Sequence, residues 1–208
     1  MATHRSRIYH GTPVAAERKG IRSKKTGLEK NHMNKRLIIV FTGNGKGKTT
    51  ASLGCAFRAA GHKMKALMVQ FIKSDWKYGE LETAKKLRPE IEIYPMGRGY
   101  VFDTDNPARK KEHKTAAEAA LKFAEKKTKT GRYDFLILDE INNIVSLGVL
   151  SETRLLSFLK KLPRNLNIIL TGRNAGRKTI QYADLVTEMK EIKHPFQKGI
   201  LARKGIEY

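Results

Sequence analysis

The longest apolar runs of the chain lie at residues 37–41, 66–72 (with Gln70 inside), 135–138 and 166–170 (with Asn167 inside). Runs of this length, rich in Val and Ile, predict strands buried on both faces of a parallel sheet. A shorter alternating stretch, residues 91–94, predicts a further strand, and residues 184–189 a last one. The segments between them carry helical patterns. In residues 51–60, Leu53, Ala56, Phe57 and Ala60 recur at offsets of three, four and seven and predict one apolar face, with Gly61 as the stop. Residues 81–88 predict a short helix ended by Pro89, residues 107–128 a long alanine-rich one, and residues 177–183 a short one. Ser151 predicts the cap of a helix running to Leu162, with Glu152 in its first turn and Pro163 as its stop. Strands and helices in alternation predict an α/β fold, a mostly parallel sheet flanked by helices on both faces with right-handed crossovers.

The junction between the first strand and first helix carries chemistry. It reads Thr42-Gly43-Asn44-Gly45-Lys46-Gly47-Lys48-Thr49-Thr50. Strand, glycine-rich turn and helix in this order are the setting of a phosphate-binding loop, in which backbone N–H groups and a helix start converge on an oxyanion. Lys48 would reach a phosphate and the Thr49 hydroxyl a Mg²⁺ ion. The pattern departs from the usual one. Five residues before Gly47 stands Thr42 rather than glycine, the first glycine falls one place later at Gly43, and Gly45 and Lys46 are additions.

The strand at 135–138 runs into Asp139-Glu140, the second signature of such proteins, with Asp139 toward the metal and Glu140 toward water or substrate. Since ligands of open α/β sheets bind beyond strand carboxyl ends, the loop after residue 72 and Arg173 in Gly172-Arg173-Asn174 should face the same site. The Asp139 strand should lie close to the Thr42 strand. Tyr100 and Phe102 follow Met96-Gly97-Arg98-Gly99 two residues apart, so in extended chain they point the same way. By themselves they read as core residues.

Composition narrows the partners. The 208 residues suffice for one well-buried α/β domain. A net charge of +22 draws anions, whether nucleotides, nucleic acid or acidic proteins. A single cysteine, Cys55, excludes an internal disulfide, and the scattered histidines make no zinc pattern. No run has the length of a membrane span and the start has no signal-peptide core, so a cytoplasmic protein is expected. Residues 1–35 hold Arg5, Arg7, Arg18, Lys19, Arg22, Lys24, Lys25, Lys30 and Lys35 against Glu17 and Glu29. They predict a basic extension, disordered over residues 1–20, with a nucleic-acid arm or a flap over an anionic site as the alternative. Residues 36–208 make the domain. The residues alone leave open attack on the γ-phosphate, phosphoryl transfer, or attack elsewhere on a nucleotide.

The loop, Val69-Gln70-Phe71-Ile72-Lys73, Met96-Gly97-Arg98-Gly99, Leu138-Asp139-Glu140, Thr171-Gly172-Arg173-Asn174, Ala183-Asp184-Leu185-Val186-Thr187-Glu188-Met189, Ile192-Lys193-His194-Pro195-Phe196 and Gly205-Ile206-Glu207-Tyr208 together resemble the ATP:corrinoid adenosyltransferases over residues 36–208. The resemblance implies a RecA-like phosphate-loop nucleoside-triphosphatase fold. It implies attack of a Co(I) corrinoid on the ribose C5′ of ATP, with triphosphate as leaving group and the nucleotide held in the reverse sense along the loop. It implies that Gly43, Asn44, Gly45, Lys46, Gly47, Lys48, Thr49 and Thr50 hold the triphosphate, that Thr49 and Asp139 bind Mg²⁺ (or Mn²⁺), and that Lys46, Lys48 and Arg173 stabilise the leaving charge. Glu140 would contact ribose or metal-bound water. Tyr100 and Phe102 would crowd the lower axial face of cobalt, and residues 22–34 would serve as a lid. A homodimer and a reduced flavoprotein electron donor are further implied; nucleic acid is not expected as a partner. The competing readings are a basic phosphate-loop ATPase acting on nucleic acid and a nucleotide-binding regulator without turnover.

Overall fold

Six strands, β1 (Ile38–Thr42), β2 (Ala66–Gln70), β3 (Ile91–Pro95), β4 (Phe135–Asp139), β5 (Asn167–Thr171) and β6 (Leu185–Glu188), lie side by side in the order β3-β2-β4-β5-β1-β6. Every pairing in this sheet is parallel. The structure is a computed structural model and describes residues 36–74, 78–99 and 106–207. The expectations placed on residues 1–35, Tyr100 and Phe102 lie outside the described residues. No helix among those described is long and apolar enough to cross a membrane.

Parallel strands need crossovers, and helices supply them. They are α1 (Lys48–Gly61), α2 (Gly79–Lys86), α3 (Pro107–Thr128), α4 (Ile141–Ser146), α5 (Glu152–Lys161) and α6 (Arg177–Tyr182). The side-chain alternation of β4 shows how they share two faces. Leu136 and Leu138 pack with Leu121 and Ala124 of α3, Ile144 of α4 and Leu155 and Phe158 of α5. Ile137 points the other way, among Met68, Ile169, Ala56 of α1 and Ala84 of α2. A strand with apolar side chains on both sides is the physical source of the long apolar runs in the sequence.

Local signals set several boundaries. The Asn106 side chain accepts the N–H groups of Ala108 and Arg109 and caps α3. Ser151 accepts the N–H of Arg154 at 3.1 Å and caps α5, as its position predicts. Three expectations change. On α1 the buried row is Ser52, Ala56 and Ala59, while Phe57 is 68% exposed. Small residues let the helix lie close to the sheet, which turns the large aromatic out. Gly61 lies inside α1, and the left-handed residue that ends it is Lys63, φ 59°. Helix α4 has too few residues to show a period and was not foreseen.

Sheet order also refines the expected closeness of the Asp139 and Thr42 strands. They are not neighbours: β5 lies between β4 and β1. Both nevertheless end at the same edge of the sheet, where β1 hands over to α1.

Candidate active site

Residues 43–47 join β1 to α1 at the carboxyl edge of the sheet. The displaced glycine and the additional one share a packing cause. A Cβ at Gly43 would sit 2.5 Å from the carbonyl oxygen of Met189, and one at Gly45 2.7 Å from it. The chain leaving β6 thus runs flush against the loop. The Met189 N–H donates to Thr42 O at 2.8 Å, and the Gly45 N–H donates to Met189 O at 2.6 Å. One loop N–H is thereby committed to the protein, leaving its neighbours and the start of α1 for an anion. Lys48, buried, donates from Nζ to the carbonyls of Gly43 and Gly45, both at 2.8 Å, and so arches the loop over its own ammonium.

Asp139, at the end of β4, is fully buried. Its Oδ1 accepts the Thr49 hydroxyl at 2.8 Å and the Thr171 hydroxyl at 2.7 Å. Its Oδ2 accepts the Gln70 amide at 3.2 Å. A buried carboxylate with three donors is one whose desolvation is compensated. Glu140 is different. It leaves the strand in a left-handed conformation, φ 65°, and opens α4. Its N–H donates to the Thr171 hydroxyl at 2.9 Å. One of its carboxylate oxygens is buried without a hydrogen-bond partner.

Of these groups Gly45, Lys48, Thr49 and Glu140 border one cavity of about 460 Å³, and Asp139 is tied to it through its hydrogen bond with Thr49. Asn44, Lys46, Thr49 and Thr50 line it from the loop and α1, Lys73 and Glu80 from the β2–α2 connection, and Glu140 and Arg173 from the ends of β4 and β5. Lys46, Lys48, Lys73 and Arg173 bring four cations to a pocket at the mouth of a glycine loop, an arrangement suited to a polyanion.

Residues 34–208 match the family described as ATP:corrinoid adenosyltransferase BtuR/CobO/CobP. The chain belongs to this family. It is 40% identical to a corrinoid adenosyltransferase of Sinorhizobium sp, over 84% of this chain and 81% of that one. It is 38% identical to a corrinoid adenosyltransferase of Escherichia coli, over 83% of this chain and 85% of that one. A protein of Salmonella typhimurium named corrinoid adenosyltransferase CobA is also 38% identical over the same shares.

Within this adenosyltransferase framework the oxygen pair Thr49 Oγ1 and Asp139 Oδ1 fits a Mg²⁺ ion. Mg²⁺ takes hard oxygen donors, usually one or two from protein, and completes its shell with water and phosphate. No group of three or more His, Cys, Asp and Glu gathers as a metal cage among the described residues. One hydroxyl and one carboxylate oxygen would leave the rest of such a shell to water and phosphate.

Charge and burial shift Glu140 and Lys48 in opposite directions. Burial, and then the neighbouring Asp139 charge, push the Glu140 carboxyl up to about 7, against the pull of Lys48, Lys73 and Arg173. Burial likewise holds the Lys48 ammonium below the usual lysine range, with Glu140 pulling it back up.

The loop, Asp139, Glu140 and Arg173 do come together, as the sequence predicts. The side chains of Gln70 and Thr171, the two further partners of Asp139, were missed: their motifs were visible, but a strand-end Gln or Thr carries no signal of which neighbour it faces. A wall of the cavity from the C-terminal segment was missed too. His194, Gly205, Ile206 and Glu207 border it, and Glu207 Oε1 lies 3.7 Å from Lys46 Nζ. The signal for them was the sharing of these motifs with the family, without an assigned role.

Proposed function

We propose that this protein transfers the 5′-deoxyadenosyl group of ATP to the cobalt of a Co(I) corrinoid, in the making or salvage of adenosylcobalamin. The Co(I) electron pair forms the Co–C5′ bond, the C5′–O bond breaks, and its electron pair leaves on inorganic triphosphate. The observation that carries this reading is the meeting of the loop, Lys48, Thr49, Glu140 and Arg173 at one cavity, with Asp139 hydrogen-bonded to Thr49, in a chain of the corrinoid adenosyltransferase family.

The residues divide the work. The loop from Gly43 to Thr50 holds the triphosphate through the N–H groups that remain free. Lys46, Lys48 and Arg173 meet charge that gathers on the leaving group, and such stabilisation is worth most in a water-poor site. Thr49 and Asp139 hold Mg²⁺ or Mn²⁺, which when bound supplies further charge to the leaving phosphates. Glu140 accepts a ribose hydroxyl. By the family resemblance, Tyr100 and Phe102 would supply an apolar wall against the lower face of the corrin, and residues 22–34 would serve as a lid. The protein works as a cytoplasmic homodimer and receives electrons for cobalt from a reduced flavoprotein.

The test mixes the protein with ATP, Mg²⁺ and chemically reduced cobalamin. The visible spectrum should change to that of the alkyl corrinoid while triphosphate appears in equal amount, and a chelator should suppress both. Orthophosphate release with an unchanged spectrum would refute the reading.

A further inference from the structure

Gln70 ends β2 directly beside Asp139 in the parallel register, and its side chain is fully buried. The amide orientation is dictated by its surroundings. Asp139 Oδ2 lies at 3.2 Å and Glu80 Oε1 at 3.5 Å from the same nitrogen, so the NH₂ group must face the two carboxylates. An amide oxygen in that place would confront two acceptors. Its own oxygen is then buried without a hydrogen-bond partner. A buried acceptor left open costs stability, so its retention here marks a position chosen for what the NH₂ end does. Glu80 is in turn paired with Lys73, which reaches the cavity from the connection after β2.

We propose that Gln70 is a positioning residue that sets the metal-binding face of Asp139 and ties it to the Lys73–Glu80 pair. The carboxylate of Asp139 can rotate about its Cβ–Cγ bond. Among the described residues, Thr49 and Thr171 hold Oδ1 and Gln70 alone holds Oδ2. Removing the Gln70 donor leaves Oδ2 without its partner, so the carboxylate is held at Oδ1 alone and can swing about that end. The effect should fall on divalent-metal affinity rather than on the chemistry of the loaded site. Partners that orient metal ligands commonly contribute about 10- to 100-fold in affinity.

The proposal rests on the metal assignment to Thr49 and Asp139, and its test separates it from the transfer reading. Mn²⁺ binding to the full-length protein in the presence of ATP is measured by electron paramagnetic resonance for the wild type, Gln70→Met and Gln70→Asn. Methionine keeps the length and removes both polar ends. Asparagine keeps the amide and falls one methylene short. Circular dichroism establishes that the variants are folded, and either folded variant suffices. The expected result is Mn²⁺ affinity weakened roughly 10-fold or more. Transfer activity should then need correspondingly more metal, with kcat largely recovered at saturation. Unchanged Mn²⁺ affinity in a folded variant, or a kcat loss that added metal does not restore, overturns the proposal. A wild type that binds Mn²⁺ and shows the Gln70 effect yet forms no alkyl corrinoid refutes the transfer reading and leaves this one standing.

Discussion

Two carboxylates at the carboxyl edge and the far edge of the same sheet have opposite fates. Glu92, on the edge strand β3, is 5% exposed and fully answered. It accepts from Tyr94 at 2.7 Å and Arg132 at 2.6 Å, and Lys127 lies 3.5 Å away. Burial alone would push its carboxyl up, but these partners hold it below the usual range. Glu140 is also largely enclosed, but it stands beside Asp139 and one of its oxygens has no partner, so it is pushed up to about 7. The first is a buried charge used to pin a sheet edge. The second lines a cavity with one buried oxygen unanswered among the described residues.

The sharpest break of this contrast is removal of the cation that faces Glu140. Lys48→Ala should lower kcat/KM for adenosyl transfer by roughly 100-fold or more. Steady-state rates against ATP check this, and thermal melting should show a folded protein. The variant should also move the Glu140 titration further up, because Lys48 pulls it down.

Glu140→Gln should separate function from stability. Glu140 titrates higher in the fold than the ordinary 4.5, so its ionisation costs stability. The cost is absent below about 4.5, grows between 4.5 and 7 and is complete above 7. The ligand-free variant should therefore exceed the wild type by roughly 1–3 kcal/mol at pH 8 and match it near pH 4.5, measured by urea unfolding. Its kcat/KM should fall roughly 10-fold, the loss expected when a charged acceptor of a ribose hydroxyl is removed.

Glu92→Gln should do the reverse. Its lowered titration means that its contribution is present above the ordinary carboxylate range and is lost as pH falls. Stripping the charge leaves Arg132 and Lys127 facing a neutral group. Unfolding at pH 7 should show a loss of about 1–3 kcal/mol that shrinks in acid, with transfer activity per folded molecule unchanged.

The smallest effect belongs to Lys46→Ala. Lys46 and Glu207 are partly exposed and 3.7 Å apart, so their pairing contributes little, about 0–1 kcal/mol. The KM for ATP should rise a few-fold with the melting temperature unchanged. A loss as large as that of Lys48→Ala would show that Lys46 meets the leaving charge as closely as Lys48.

Much of this molecule was written in local pattern. The strands betray themselves because a parallel strand with helices on both sides is apolar on both faces over most of its length, as at Leu136, Ile137 and Leu138. The loop betrays itself because Lys48 and Thr49 must stand at fixed steps from its glycines, and Ser151 because a helix start needs an acceptor. These are constraints between near neighbours in the chain, and a sequence records them directly.

Other features belong to distant neighbours. Gly43 and Gly45 looked like phosphate-loop glycines, yet both also make room for Met189, well over a hundred residues away. Phe57 fitted an apolar helical face, yet alanines seat α1 on the sheet and the ring faces outward. Gln70 and Thr171 gained their roles only when β2 and β5 were placed on either side of β4, and the C-terminal wall only when the chain returned past the loop. Local pattern carries the layers, the loop and the acids, because burial and backbone geometry act residue by residue. The tertiary structure decided which carboxylate is answered and which is left open, because that depends on strand order and on close approaches that no local pattern encodes.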